Sequence, residues 1–236
     1  MELNAAVRLP LTLDPASVGR LRQDLDAALQ SESPVVMLVG HDESTFCAGM
    51  SLDAMIGGSG DVQHFVDLLA ALHTSPKPLL AVVNGAAIGG GLGLACSCDW
   101  VVATTRSTFG LPELLWGLVP AIIWPVITAR MPVNLARRWT VSAHARDAAE
   151  AAQAGIVDDL TSLDRLDATV RRAHRMLQRL DPVALTRLRA WARESAQLPL
   201  PDALARGAAI TTSLAATPAA RGRWDAYQNG AAPWSA

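Results

Sequence analysis

Leu79-Leu80-Ala81-Val82-Val83-Asn84-Gly85-Ala86-Ala87-Ile88-Gly89-Gly90-Gly91 is the stretch that decides how this chain folds. Leu79 to Val83 is continuously apolar, the pattern of a strand buried on both faces of a parallel sheet. It runs straight into glycines, after which Leu92 to Cys98 reads as a short apolar helix. A strand that passes through glycines into a helix leaves backbone N–H groups without partners at the positive end of the helix dipole, where an anion or a developing negative charge is stabilised. Taken alone, the same glycines serve equally well for close packing of helix on strand.

Working outward, Val35 to Val39 is a second buried strand, and Trp100 to Ala103 a third. Leu9 to Leu13 is short and extended, and Asp14-Pro15-Ala16-Ser17 opens a helix whose Val18, Leu21, Leu25 and Leu29 recur at helical spacing. Phe46 to Asp53 reads as a loop. It is followed by Gly57-Gly58-Ser59-Gly60 and by a helix from Asp61 that turns Phe65, Leu68, Leu69 and Leu72 inward and ends at Pro76 and Pro78. Strands alternating with helices predict an α/β fold, and the lack of a polar linker before Leu160 predicts one core over residues 1–160. Residues 161–236 are expected to be helical, with helices over Ala168–Leu180, Val183–Ser195, Ala203–Leu214 and Ala219–Tyr227.

The 236 residues are 50% hydrophobic and 18% charged, which excludes a disordered or fibrous chain. A net charge of -2 and a pI near 6.2 argue against a nucleic-acid partner and leave small molecules as the default ligand. Cys47, Cys96 and Cys98 form no disulfide framework, and Met1 leads into Glu2 and Asn4 rather than a basic and then apolar leader, so a cytoplasmic protein is expected. Pro78 to Cys98 is free of charge, but Asn84 and five glycines make it core and not a membrane span. His41, His64, His73, His144 and His174 show no metal-ligand spacing, so no metal is expected.

Neither G-x-x-x-x-G-K-[ST] nor a dinucleotide fingerprint is satisfied at the glycine cluster, which disfavours phosphate. The other anion that uses backbone donors is the oxyanion of a thioester enolate. The combination of Phe46-Cys47-Ala48-Gly49-Met50-Ser51-Leu52-Asp53, Lys77-Pro78, Asn84-Gly85, Gly89-Gly90-Gly91, Cys98-Asp99, Phe109-Gly110-Leu111-Pro112-Glu113 and Ala154-Gly155-Ile156-Val157-Asp158 resembles the crotonase family, the enoyl-CoA hydratase/isomerase superfamily. The resemblance covers roughly residues 35 to 160, with a looser echo in Pro218 to Trp234. It implies a spiral of strand-strand-helix turns and a helical C-terminal region that packs a homotrimer or dimer of trimers. It also implies cofactor-independent chemistry in which two backbone N–H groups, here those of Met50 and Gly90, polarise an acyl-thioester carbonyl.

Hydratases of that family use two glutamates. One matches Glu113; the other falls on Gly93, a departure from the two-glutamate pattern. Glu113 by itself can take and return a proton, since a carboxylate in an apolar pocket beside Leu114, Leu115 and Trp116 has its pKa raised by desolvation; the plainer reading is an exposed acid at a helix start. Gly93, Leu92, Trp116 and Asp53 are expected to line the substrate pocket. Glycine inside a helix costs about 1 kcal/mol relative to alanine, so its presence at 93 suggests that room or the absence of charge is needed there.

Where the common family pattern has a Pro-Gly-x-Gly-Gly turn, this chain has Leu114-Leu115-Trp116-Gly117-Leu118-Val119-Pro120-Ala121-Ile122-Ile123-Trp124-Pro125. That segment looks like the dehydratases of polyketide β-branching cassettes. The likeness implies removal of water from 3-hydroxy-3-methylglutaryl on an acyl carrier protein, giving the 3-methylglutaconyl thioester. Arg171, Arg172, Arg175 and Arg179 are most simply a solvated helix face, with docking of an acidic carrier protein as the alternative. Two rival readings stand beside this one: a generic enoyl-CoA hydratase or isomerase acting on an acyl-CoA, and a catalytically silent crotonase-fold assembly protein.

Overall fold

The computed structural model describes residues 6–53 and 62–232, so the expected glycine run Gly57–Gly60 and the helix start at Asp61 lie outside the described residues. The chain divides into two compact units, residues 1–178 and 179–236.

In the first unit, β1 (Ala6–Arg8), β2 (Val36–Val39), β4 (Leu79–Val83), β6 (Trp100–Thr104) and β9 (Asp159–Thr161) make a five-stranded sheet in the order β1-β2-β4-β6-β9, parallel throughout. A second, four-stranded sheet runs β3 (Thr45–Cys47), β5 (Ala86–Ile88), β7 (Thr108–Gly110) and β8 (Arg146–Asp147), with only the β7–β8 pair antiparallel. Successive stretches of chain place one strand in each sheet: β2 then β3, β4 then β5, β6 then β7. Helices α2 (Val62–His73) and α3 (Gly90–Cys96) return the chain between these pairs, which is the expected spiral of strand-strand-helix turns.

Helix α1 (Pro15–Gln30) starts where the sequence places it. Asp14 accepts from Ser17 N–H at 2.8 Å while the Ser17 hydroxyl accepts from Asp14 N–H at 2.9 Å, a reciprocal cap on the first turn. Its apolar stripe, Val18, Leu21 and Leu25, is buried with Phe65, Leu68 and Leu72 of α2 in one core cluster. At its far end Lys77 Nζ donates to the Ala28 and Ser31 carbonyls, satisfying acceptors that a helix end leaves open.

Several of the motifs that carried the resemblance turn out to hold strands in place. Asp99 accepts from Leu79 N–H and Asp158 from Val101 N–H, each at 2.7 Å, so each carboxylate fixes the start of a neighbouring strand. Arg130 binds Asp158 and the Cys96, Cys98 and Ile156 carbonyls, tying the end of α3 to the chain ahead of β9.

Beyond β7 the chain forms a single 3-10 turn (Glu113–Trp116), α4 (Trp124–Thr128), α5 (Val133–Ser142), β8 and α6 (Ala148–Gln153). Helix α7 (Leu166–Leu177) lays Val170, Ala173 and Leu177 against Val35, Met37, Leu80 and Val102 on one face of the five-stranded sheet. The helical region expected from residue 161 therefore opens with a helix that belongs to the sheet's own core, and the compact unit extends to residue 178. The second unit holds α8 (Pro182–Ser195), capped by Asp181, then α9 (Leu200–Ala215) and α10 (Pro218–Gln228), capped by Thr217. Val183, Leu188, Leu200, Leu204 and Trp224 stand exposed there.

Candidate active site

Strands β3, β5 and β7 lie side by side and parallel in the four-stranded sheet. Just past their C-terminal ends come Met50, Gly90 and Glu113, so one sheet edge gathers three positions that are 63 residues apart at the extremes of the sequence. Gly89 N–H donates to the Gly110 carbonyl at 2.9 Å, which locks the end of β5 to the end of β7.

Positive φ at Gly49 (+89°) and Gly89 (+51°) turns the chain immediately before Met50 and Gly90. Close approach adds a second constraint: a methyl group placed on Gly49 would lie 3.2 Å from Gly90 N, and one on Gly90 would lie 3.6 Å from Met50 N. The two backbone segments are thus in van der Waals contact. The bridge between Leu13 and Met50 uses the Gly49 carbonyl and Ser51 N–H, and leaves the Met50 N–H out of that pairing. Gly90 N–H, at the first turn of α3, has no acceptor within the helix. Among the described residues neither N–H has a protein acceptor.

A cavity of about 330 Å³ opens on these groups. Met50, Leu52, Phe65, Ile88, Trp116, Leu118 and the Pro120–Ile123 segment give it apolar walls, and Glu113 is the one titratable side chain among the described lining residues. Glu113 begins the 3-10 turn that Gly117 ends in the left-handed conformation, and its main-chain carbonyl accepts from Leu118 N–H at 3.0 Å. Its carboxylate sits beside Gly89, where a methyl group would lie 2.9 Å from Oε1, and Oε2 is buried without a hydrogen-bond partner among the described residues. Burial holds the Glu113 carboxyl above its ordinary pKa, because the low-dielectric wall penalises the charged form. A carboxylate poised toward neutrality next to two open backbone donors can accept a proton from carbon while a carbonyl oxygen gains charge.

The structure brings together Met50, Gly90, Glu113 and Trp116, the last lining the cavity although largely exposed. It separates three other expected pocket residues from that lining. Leu92 is fully buried in the core, since its side chain leaves α3 on the packed side. Asp53 is exposed and outside the lining. Gly93 is also outside it, because the Ile123 side chain stands where a side chain on Gly93 would go. Leu114 and Leu115 are exposed, so the desolvation of Glu113 comes from the cavity walls, Pro112 and Trp116 among them, and not from those two leucines. Nothing in the sequence marks Ile88 as a wall residue; Pro120 to Ile123 falls in the segment that departs from the common family pattern, but no local feature says that it faces the cavity.

Cys47, on β3, is buried, and burial pushes its thiol up to about 11, so it stays protonated near neutral pH and offers no nucleophile. Arg172 is committed to Asp159 at 2.6 Å. No described helix is long and apolar enough to cross a membrane.

Comparison with known proteins gives the family and the fold. Residues 12–232 match the family model described as enoyl-CoA hydratase/isomerase. A 2,3-dehydroadipyl-CoA hydratase of Escherichia coli is 33% identical over 212 residues, covering 87% of this chain and 82% of the relative. A carnitinyl-CoA dehydratase of Citrobacter koseri is 28% identical over 179 residues, covering 72% of this chain and 67% of the relative. Among solved structures, an enoyl-CoA hydratase from Shewanella pealeana superposes with a TM-score of 0.83 at 25% identity, covering 95% of this chain and 87% of that one.

Proposed function

The chain belongs to the enoyl-CoA hydratase/isomerase family, and on that premise we propose that it is a lyase that moves water out of or into an acyl thioester with Glu113 as its acid-base side chain. The observation that carries this reading is the placement of Glu113, alone among apolar walls, beside the open N–H groups of Met50 and Gly90. The thioester carbonyl accepts from both N–H groups, which lowers the cost of negative charge on oxygen when the α-carbon loses its proton. Glu113 takes that proton and gives it to the β-hydroxyl as the carbon–oxygen bond breaks. Water leaves, the α,β double bond forms, and the carboxylate is regenerated. Hydration is the same path reversed. Retention of the carboxylate and of both donors weighs against a silent assembly protein.

The narrower reading is dehydration of 3-hydroxy-3-methylglutaryl on an acyl carrier protein. It is supported by Leu114 to Pro125, the segment in which this chain departs from the common pattern, since Trp116, Leu118, Val119 and Pro120 to Ile123 line the cavity. It is also supported by the described lining, in which Glu113 has no second carboxylate beside it to repel the distal carboxylate of such a substrate. We further read the exposed apolar residues of α8 to α10 as the packing face of a trimer or dimer of trimers.

The test presents purified protein with 3-hydroxy-3-methylglutaryl thioester on carrier protein and on CoA, and with 3-hydroxybutyryl-CoA, and follows loss of water by mass spectrometry. Turnover of the carrier-bound branched substrate alone establishes the narrower reading. Turnover only of the linear CoA substrate assigns a generic hydratase, and no turnover of any thioester removes the lyase assignment.

A further inference from the structure

We propose that Ile123 determines acyl-group specificity in this cavity by occupying, against Gly93, the volume that a side chain at 93 would need; the inference rests on the acyl-thioester reading above. A Cβ placed on Gly93 would lie 2.8 Å from Ile123 Cβ and closer still to Cγ2, inside the distance that real Cβ atoms keep. Ile123 is 3% exposed, and it lines the cavity.

Neither partner of this contact is free to retreat. The Ile123 carbonyl accepts from Val126 and Ile127 N–H at 3.2 and 3.0 Å and so starts α4, while Trp124 N–H donates to the Pro120 carbonyl at 2.9 Å. Gly93 is fixed just as firmly within α3. Its N–H donates to the Gly89 carbonyl at 3.0 Å, and its own carbonyl accepts from Ser97 N–H at 3.0 Å and Ser97 Oγ at 2.8 Å. The branched Ile123 side chain has little rotamer freedom with which to yield. The Gly93–Ile123 pair therefore acts as one unit. It places an apolar wall at the site of a possible second acid, leaves no polar group there to hold a water, and sets how large a group the adjoining part of the cavity accepts.

Two consequences separate this from ordinary core packing. Shortening Ile123 should widen the cavity selectively for bulkier acyl groups, and an acid at 93 should be tolerated only when residue 123 is small. The experiment measures calorimetric affinities of the native chain, Ile123→Val and Ile123→Ala for butyryl-CoA, 3-methylbutyryl-CoA and hexanoyl-CoA. Melting temperatures are taken for Gly93→Glu, Ile123→Ala and the double variant.

The expected result is a graded gain from Ile to Val to Ala, reaching about tenfold for the two larger acyl groups relative to butyryl, the scale of one or two methylenes in an apolar pocket. Gly93→Glu alone should melt well below the native chain, and the double variant should recover part of that loss although Ile123→Ala is itself destabilising. Parallel affinity changes for all three thioesters, or melting losses that simply add, overturn the proposal. If the native chain binds none of the thioesters, the acyl-thioester reading fails, and the melting comparison still decides whether residues 93 and 123 act as a unit.

Discussion

The two sheets of the first unit divide the labour. In the five-stranded sheet, β2, β4 and β6 run four or five residues each, almost all buried, with α7 packed on one face. In the four-stranded sheet, no strand exceeds three residues, yet the ends of β3, β5 and β7 deliver Met50, Gly90 and Glu113 to one cavity. The long strands bury apolar area and make the fold stable. The short ones bury fewer side chains, Phe46 and Phe109 the largest of them, and aim three turns at a common point. The contrast teaches that stability and chemistry are set by different residues here, and that each should fail separately when disturbed.

The largest expected effect is on the chemical side. Glu113→Gln should lower turnover of the accepted thioester by about 10³-fold, within the span of a lost general acid-base group, while the circular dichroism spectrum stays native. Exchange of the α-hydrogen in deuterated water gives an independent reading of the same proton transfer. Exchange and turnover near native rates would remove Glu113 from the mechanism and blur the contrast between the sheets.

The counterpart in the long sheet is Leu80→Ala. Leu80 is fully buried between the sheet and α7, so truncation should cost about 2–5 kcal/mol in a denaturant titration. Catalytic efficiency, measured where both proteins are folded, should be unchanged. A large loss of efficiency at native stability would mean that the scaffold also tunes the site.

Gly89→Ala comes next, as the probe that touches the aim of the short strands. Its φ of +51° is disfavoured for alanine, and the added methyl would meet Glu113 Oε1 at 2.9 Å. Displacing the donor that follows should cost about 10²-fold in turnover, with a smaller loss of affinity for a saturated acyl-CoA.

The smallest effect is a reversed pH dependence of stability. Because burial raises the Glu113 pKa in the folded state, the folded protein keeps that proton where the unfolded chain has released it. Stability is therefore lost as pH rises from the unfolded value through the folded one, opposite to a salt-bridged carboxylate. Glu113→Gln removes the buried charge and should melt about 1–2 °C above the native chain near neutral pH, with no gain below the ordinary carboxylate range. Activity runs the other way: the native rate should fall on acidification with a midpoint above the ordinary glutamate pKa of about 4.3. A site that folds more stably when uncharged but works only when ionised would place the cost of function on the short sheet.

The amino-acid sequence by itself determined what local chemistry can determine. Continuous apolar runs at Val35–Val39 and Leu79–Val83 specified buried parallel strands, Asp14 and Ser17 specified a helix start, and the family resemblance pointed to the glycines around Gly89 and to Glu113 as a candidate site. Strands β3, β5 and β7 escaped notice because three residues carry no measurable periodicity, so Phe46–Asp53 read as a loop. Only the tertiary structure decided which side chains face the cavity. Leu92, Gly93 and Asp53 lie close to Gly90 or Met50 in sequence, yet helix geometry buries Leu92, Ile123 covers Gly93, and Asp53 stands in solvent. Ile123 reaches the site from 30 residues beyond Gly93, and no local pattern announces a contact that exists only because α4 packs against α3.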